Sequence, residues 1–391
     1  MDNTKQLNIE YFSLQSLFWM TYCMVVGFSV TYLLSCGYSN SEAGYILASA
    51  NICALILQPF FADLADRSKK INAMTIFLVS IEIIFVCSIG LFFIGVRSLI
   101  LTLIYIVMIT LANAVIAFLT SIQFLMDTSK SKINFGLCRA GGSLCFAILS
   151  ALMGIMIERI GMKSIPLALF IITLLIIGLC IFITRHSINS NIKAVLTLEK
   201  KRSSSLFVFF KENPRFMILS IAMLFIYYAH AFITNFTISI VRNVGGDNRE
   251  MGYLIAFMAL MELPGMIGFK EISRRFKVSS LLLFSMIMFS IKAIIVWLSP
   301  SLMTLTFGFA LQVVSFAIYI PASVQYANII IDEKDTVKAQ MMFNLMQTGG
   351  AVFSSIIGGW LIDFSGISHA LLVGAILSCI GTMIAIAGIQ N

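Results

Sequence analysis

Residues 164–184 read SIPLALFIITLLIIGLCIFIT, a run without one charged side chain. A helix crossing a bilayer needs about 20 mostly apolar residues, and this run supplies them. Working outward from it, eleven further runs of the same kind appear, so the spans fall near 11–36, 42–64, 72–95, 99–126, 138–157, 164–184, 214–240, 251–269, 279–298, 302–331, 339–362 and 368–389. Apolar positions do not alternate with period two, and open strand edges are not viable in lipid, so the spans are expected to be helices. Composition agrees. The 391 residues are 59% hydrophobic and 11% charged, with mean hydropathy +0.98, whereas a soluble domain is about 25% charged. A secreted enzyme, a nucleic-acid binder and a disordered scaffold are excluded on this ground. The expected fold class is an all-α integral membrane protein with twelve transmembrane helices. The first run is too long for a signal-peptide core and lacks a cleavage site, so it is kept as a span.

The formal charge of +8 follows topology. Most Lys and Arg fall in the N-terminus and the even-numbered connections, whereas the odd-numbered ones hold only Arg97, Arg159, Lys163, Arg242 and Arg249. By the positive-inside rule both termini are expected in the cytoplasm, with the protein in the cytoplasmic (inner) membrane. The longest polar segment, 185–213, is expected to be a cytoplasmic linker between an N-terminal half, 1–184, and a C-terminal half, 214–391. The eight Cys show no C-x-x-C or Cys/His spacing, so neither a disulfide nor a metal site is expected. No phosphate-binding or dinucleotide loop is present. The protein is therefore read as no enzyme, with no cofactor, and no ATP-driven pump. Its expected partners are the bilayer, a small-molecule solute and a proton, with no nucleic acid, and it is read as a monomer.

The two halves repeat each other. A slide of 208 positions sets Gly44–Ala48 (GYILA) on Gly252–Ala256 (GYLIA), Asp66-Arg67 on Arg274-Arg275, and Gly141-Gly142 on Gly349-Gly350. Three matches at one offset argue for a duplicated six-helix unit, and two parallel repeats with a solute site at their interface are a transporter architecture.

The residues then become specific. Asn40–Gly44, Gln58-Pro59 and the stretch Ala62–Lys70 (ADLADRSKK) resemble the loop signature of the major facilitator superfamily. Leu64, Asp66, Arg67 and Lys70 match it, and Ala62 and Lys69 stand where that family has glycine. Within the superfamily the chain resembles the lactose-permease and phenylpropionate-permease group, whose members include proton symporters of oligosaccharides and nucleosides. Asn134–Arg139 with Gly142 and Phe146 is similar to that group's fifth span, and the resemblance implies that Arg139 is a sugar-site arginine and Phe146 a stacking aromatic. Glu262-Leu263-Pro264 resembles its eighth span, and Lys338-Ala339-Gln340 with Gly358–Asp363 its eleventh. Departures are equally specific. Gln123 stands where the group has a site glutamate, Lys292 where it has a coupling arginine, and Gln312 and Ser315 where it has a histidine and a glutamate. Gln347 and Gly350 occupy the region of its eleventh-span lysine.

Ionisable side chains inside a membrane are costly and normally face a cavity or a partner. Glu82, Arg139, Glu262 and Lys292 are the clear cases. Glu262 and Lys292 have opposite charge and are expected to pair, with Glu262 the first choice for proton carrier; a static ion pair is the competing reading. Glu82 is either a second proton site, a partner for a cationic solute, or a carboxyl held by a neighbouring hydroxyl. Arg139 offers a fork of donors for hydroxyls or a carboxylate, or else is a cation at a helix end. Asn235, Gln312, Gln340, Asn344 and Gln347, with Gln123, are candidate solute ligands; 340, 344 and 347 share a helix face. Interhelical hydrogen bonding is the alternative for all of them. His230 is counted among the candidate solute-binding residues, and its own readings are a hydrogen-bonded packing residue or a proton relay. Asp66 and Arg67 are expected in a tight loop as a conformational latch. The expected function is secondary transport of a small polar organic solute, a sugar or glycoside first, by alternating access and proton symport. Aromatic carboxylate uptake, drug efflux, and a non-transporting receptor or channel are the alternatives.

Overall fold

The computed structural model describes residues 3–68, 71–127, 133–186, 206–332 and 335–389, and their regular structure is helical throughout. Ten helices are long and apolar enough to cross a membrane, and two bent pairs raise the number to twelve. The chain divides into two compact units, Met1–Val195 and Leu196–Asn391.

In the first unit the first span is Asn3–Tyr22, a π-helical turn Cys23–Gly27, and Ser29–Ser35. Asn40–Arg67, Ala73–Phe93, the bent pair Leu99–Ala114 and Ile116–Met126, Phe135–Ile160 and Ser164–His186 complete it. In the second unit a short helix, Leu206–Glu212, precedes a seventh span made of Pro214–Asn235 and Thr237–Asn243. Asn248–Arg275 and Val278–Leu298 follow. The tenth span is Leu302–Ala310, a 3₁₀ turn Leu311–Val313 and Phe316–Ile330. The eleventh is Thr336–Phe353, a π-helical turn Ser354–Gly358 and Gly359–Ser365, and the twelfth is Ile367–Gly388.

The duplication read from sequence is carried into local geometry. Phe28 and Phe236 interrupt the first and seventh spans at equivalent positions. Gly37 and Gly245, the same 208 positions apart, take φ of 91° and 82°, a conformation that favours glycine. Ser39 and Asp247 then cap helices of 28 residues each, with Glu42 and Glu250 closing the two capping boxes. A box pairs two otherwise orphaned backbone N–H groups with side-chain oxygens, which fixes where each helix starts.

Within each unit, glycines set the closest helix contacts. A Cβ at Gly142 would lie 2.5 Å from the Trp19 ring, and one at Gly350 would lie 2.6 Å from the Leu224 carbonyl and 3.0 Å from Tyr227 Cβ. Trp19 and Tyr227 are themselves equivalent under the repeat, so both halves pack their fifth helix on their first in the same way. Small residues at such crossings let backbones approach.

Two boundaries differ from the sequence reading. The second helix runs to Arg67 rather than ending near 64, so Asp66 and Arg67 belong to its last turn and not to a loop. Arg67 Nε donates to Asp63 Oδ1 at 2.6 Å, one turn back, with both side chains largely exposed. Charged residues at helix ends extend past the apolar run, which is why hydropathy stops early. The Asp66 side chain and residues 69 and 70 lie outside the described residues. The sixth helix likewise continues through Arg185 to His186, and Leu206–Glu212 is helical inside the expected linker; residues 187–205 lie outside the described residues.

The glycine contacts predict a contrast. Gly350→Ala meets backbone atoms and is expected to lower stability by about 1–3 kcal/mol. Gly349→Ala meets only Leu224 Cδ1 at 3.5 Å and is expected to be tolerated. Thermal midpoints of the purified proteins in detergent check the pair.

Candidate functional site

The second unit holds a charged line across three spans. Lys292, on the ninth span and 1% exposed, donates from Nζ to Gln312 Oε1 at 2.6 Å. Gln312, also 1% exposed, donates from Nε2 to Glu262 Oε1 at 2.9 Å. The expected Glu262–Lys292 association is therefore built through Gln312, whose amide presents its acceptor to the ammonium and its donor to the carboxylate. Of the two readings of Gln312, solute ligand or interhelical hydrogen bond, its side chain makes the interhelical contacts.

Local structure explains how it gets there. Gln312 lies in the 3₁₀ turn Leu311–Val313, where the tenth span is interrupted and its side chains leave the regular α-helical register. Two glycines close the walls around it. A Cβ at Gly265 would come within 2.5 Å of Val313 O and Ala317 Cβ, and one at Gly308 within 2.9 Å of Val296. The eighth and ninth helices thus approach the interruption from two sides. Lys292 Nζ also lies 5.6 Å from the Phe309 ring centroid and 3.9 Å from Met258 Sδ. Glu262 itself is only half-buried.

One layer away sits His230, 8% exposed. Its ring stacks on Phe316 at 4.9 Å and meets the edges of Phe289 and Tyr227 at 5.2 and 5.1 Å. Its Nδ1 has no hydrogen-bond partner among the described residues. This is an aromatic packing environment. The amide stripe of the eleventh span is dispersed among different partners. Gln347 Nε2 donates to the buried Tyr319 hydroxyl at 2.8 Å, Gln340 Nε2 to Asn328 Oδ1 at 3.2 Å, and Asn344 is exposed. Asn235 Nδ2 donates to Ser355 Oγ at 3.1 Å, tying the interruption of the seventh span to that of the eleventh.

In the first unit Arg139 lies on the fifth span with its guanidinium 4.0 Å from the Trp19 ring centroid, and Nη1 donates to Ser143 Oγ at 2.9 Å. Trp19 Nε1 donates to Gln15 Oε1 at 3.0 Å, Gln15 Nε2 donates to the Tyr11 hydroxyl at 2.8 Å, and Tyr11 donates to the Leu119 carbonyl at 2.9 Å. A continuous polar thread thus runs down the first helix and orients the indole that carries Arg139. Phe146 is half-buried near Gly27, and Gln123 is half-buried in the fourth span. Glu82 does not join this group. It is exposed on the third helix among Val79, Ile83 and Val86, with no hydrogen-bond partner among the described residues, so of its three readings the carboxyl held by a neighbouring hydroxyl has no such hydroxyl in reach.

Sequence reasoning missed several polar residues. Glu10 is 5% exposed and accepts a hydrogen bond from Gln6 Nε2 at 2.8 Å; the first span was read from residue 11 and left it out. Tyr22, Asn51 and Asn113 join three spans of the first unit. The Tyr22 hydroxyl donates to Asn113 Oδ1 and Asn113 Nδ2 donates to Asn51 Oδ1, each at 2.9 Å. The signal available was that both asparagines stand inside long uncharged runs.

The bridge at Gln312 makes a stability prediction. Gln312→Leu keeps most of the volume and removes both hydrogen bonds, leaving a buried ammonium short of an acceptor. A loss on the order of 1–3 kcal/mol is expected, read as a lower thermal midpoint in detergent. Adding Lys292→Met removes the buried charge and is expected to recover most of that loss.

Comparison with known proteins agrees with this geometry. The pattern of the MFS_1 like family matches residues 7–373. A maltose permease of Geobacillus stearothermophilus is 21% identical over 347 residues, covering 88% of this chain and 85% of the relative. The transporter YwbF of Bacillus subtilis (strain 168) is 25% identical over 359 residues, covering 88% and 83%. Among solved structures, a mutant of the nucleoside transporter NupG superposes with a TM-score of 0.81 at 15% identity over 100% of both chains. An auto-inhibited peptide transporter of the POT family gives 0.80 at 10% identity over 98% and 96%. At such identities these structures speak for the fold.

Proposed function

The chain belongs to the MFS_1 like family and is a multi-pass membrane transporter of small-molecule solutes; from that premise we propose that it is a proton symporter of a neutral polyhydroxylated solute, a sugar, glycoside or nucleoside. It works by alternating access in the cytoplasmic membrane, with both termini inside. The observation that carries the coupling is the Lys292–Gln312–Glu262 line. A half-buried carboxyl bonded to a neutral amide can exchange its proton while the amide relays the change to the ammonium. Among the described residues no hydrogen bond or ion pair draws Glu82 into such a line, and the scheme leaves it aside.

The solute class is supported by the permease of maltose among the relatives and the nucleoside transporter among the structural neighbours. Arg139, held by Ser143 and Trp19, is proposed as the hydroxyl-facing donor of the first half. Drug efflux has no support from these polar partners. Asp66 and Arg67, in the last turn of the second helix, are proposed as a latch at that helix end.

Counterflow in proteoliposomes with labelled maltose, lactose, uridine and phenylpropionate tests the class. Exchange of a sugar or of uridine is the expected result, and exchange of phenylpropionate alone assigns the aromatic carboxylate instead. Glu262→Gln fixes the neutral state. It is expected to keep exchange of the same solute across the membrane and to lose uphill accumulation, because exchange does not require the proton to leave. Glu82→Gln is expected to retain both. Accumulation that survives in Glu262→Gln and vanishes in Glu82→Gln reverses the assignment.

A further inference from the structure

We propose that Trp19, Tyr22, Asn51 and Asn113 form a solute-binding corner on the first half, one that selects an uncharged ring bearing adjacent hydroxyls. The inference rests on the transporter reading above and adds residues that neither the resemblance nor the candidate set contained.

Three spans meet at this corner. The Thr110 hydroxyl donates to the Ala50 carbonyl at 3.2 Å, which locks the second and fourth helices side by side one turn from the amides. The fourth span then bends by 43° between Ala114 and Ile116, immediately beyond Asn113. Gln58 Nε2 takes up the Asn113 carbonyl at 3.2 Å. The three side chains are held in order: Tyr22 hydroxyl to Asn113 Oδ1, and Asn113 Nδ2 to Asn51 Oδ1.

A purely structural node between packed helices would bury its amides and use them up. Here Tyr22, Asn51 and Asn113 are each half-buried. Among the described residues the Asn51 amide N–H groups have no acceptor, and each asparagine oxygen keeps a second lone pair. One donor group beside two acceptors at fixed spacing is the complement of neighbouring hydroxyls, each of which both donates and accepts.

The flank is aromatic. Trp19 and Tyr22 are one turn apart on the first helix, with ring centroids 5.3 Å apart and planes inclined by 59°. The indole N–H is turned toward Gln15 and the Arg139 guanidinium lies over the ring at 4.0 Å, so what the indole has left to offer the corner is carbon. Amides beside aromatic carbon suit a ring with polar edges and an apolar C–H face.

Charge narrows the class. Residues 43–62 of the second span, 98–126 of the fourth and 11–35 of the first contain no Asp, Glu, Lys or Arg. The charge beside the corner is the Arg139 guanidinium of the fifth span, 4.0 Å from the Trp19 ring centroid, so a cation entering it meets a like charge and no counter-charge on these three helices, whereas a neutral polyol loses nothing by that. The corner therefore favours a sugar or nucleoside over a cation, and its paired amides, rather than a charge, set the preference for hydroxyls.

The test uses the full chain in proteoliposomes with labelled maltose and uridine, and deoxy analogues of each as competitors. Wild type is expected to favour the hydroxylated solute over its deoxy analogue by about tenfold or more, the value of one hydrogen bond. Asn51→Ala and Asn113→Ala are expected to bring that ratio close to unity. A merely structural role lowers transport of both solutes together and leaves the ratio unchanged, which overturns the proposal. Should Asn113→Ala fail to fold, Tyr22→Phe and Asn51→Ser report the same ratio. A second readout needs no turnover. The chain has three Trp, so Trp297→Phe with Trp360→Phe leaves Trp19 alone, and its emission is expected to shift on titration with the transported solute. An unchanged emission with a solute that exchanges overturns the corner and leaves the transporter reading standing. Absence of exchange for every sugar and nucleoside overturns both.

Discussion

A polar group inside a bilayer has no water to bond with, and the rest of this structure follows from how its polar groups find one another. Each interrupted helix places a hydrogen-bonding side chain at or beside its interruption. Tyr22 precedes the π turn of the first span, Asn113 the bend of the fourth, Asn235 the break of the seventh, Gln312 lies in the 3₁₀ turn of the tenth, and Ser355 in the π turn of the eleventh. These residues are then tied in pairs or lines. Tyr22 bonds Asn113, Asn235 bonds Ser355, and Gln312 bonds Lys292 and Glu262. The breaks and the side-chain bonds support each other, because an interruption frees a side chain from helical register and the bond it makes fixes the interruption in place.

The two halves share one local geometry and differ in chemistry. Their first-to-second connections, capping boxes and glycine crossings correspond residue by residue, down to Gly142 on Trp19 and Gly350 beside Tyr227. Their polar centres do not. The first half joins three spans with neutral groups, Tyr22, Asn113 and Asn51, and its intramembrane cation, Arg139, lies over an indole. The second half joins three spans with an ammonium, an amide and a carboxylate. On the reading proposed above, the neutral centre recognises the solute and the charged one carries the proton, a division of labour that a duplicated unit can reach by changing a few side chains.

Much of this was legible in the sequence for physical reasons. Spans are set by a length that the bilayer dictates, so uncharged runs located all twelve, and the 208-residue offset had already matched the glycine pairs of the fifth and eleventh helices. Boundaries were less legible because Arg67 and His186 extend helices beyond their apolar runs. Side-chain roles were the least legible. An amide in a span reads the same whether it binds solute or bridges two helices, and only the fold shows that Gln312 joins Glu262 to Lys292. The corner of Tyr22, Asn51 and Asn113 joins residues as far apart as 91 positions, a relation that no local pattern encodes. The exposure of Glu82 has a sequence signal, since Val79, Ile83 and Val86 around it mark an apolar outer stripe at helical spacing.

The central claim is that solute and proton meet in one protein through Glu262. The direct measurement is proton uptake by the purified transporter in weakly buffered detergent solution when its solute is added. The account predicts an alkaline shift in wild type that is retained in Glu82→Gln and absent in Glu262→Gln, while solute still binds to both. A shift that persists in Glu262→Gln, or solute binding to wild type with no proton taken up across the pH range, contradicts it.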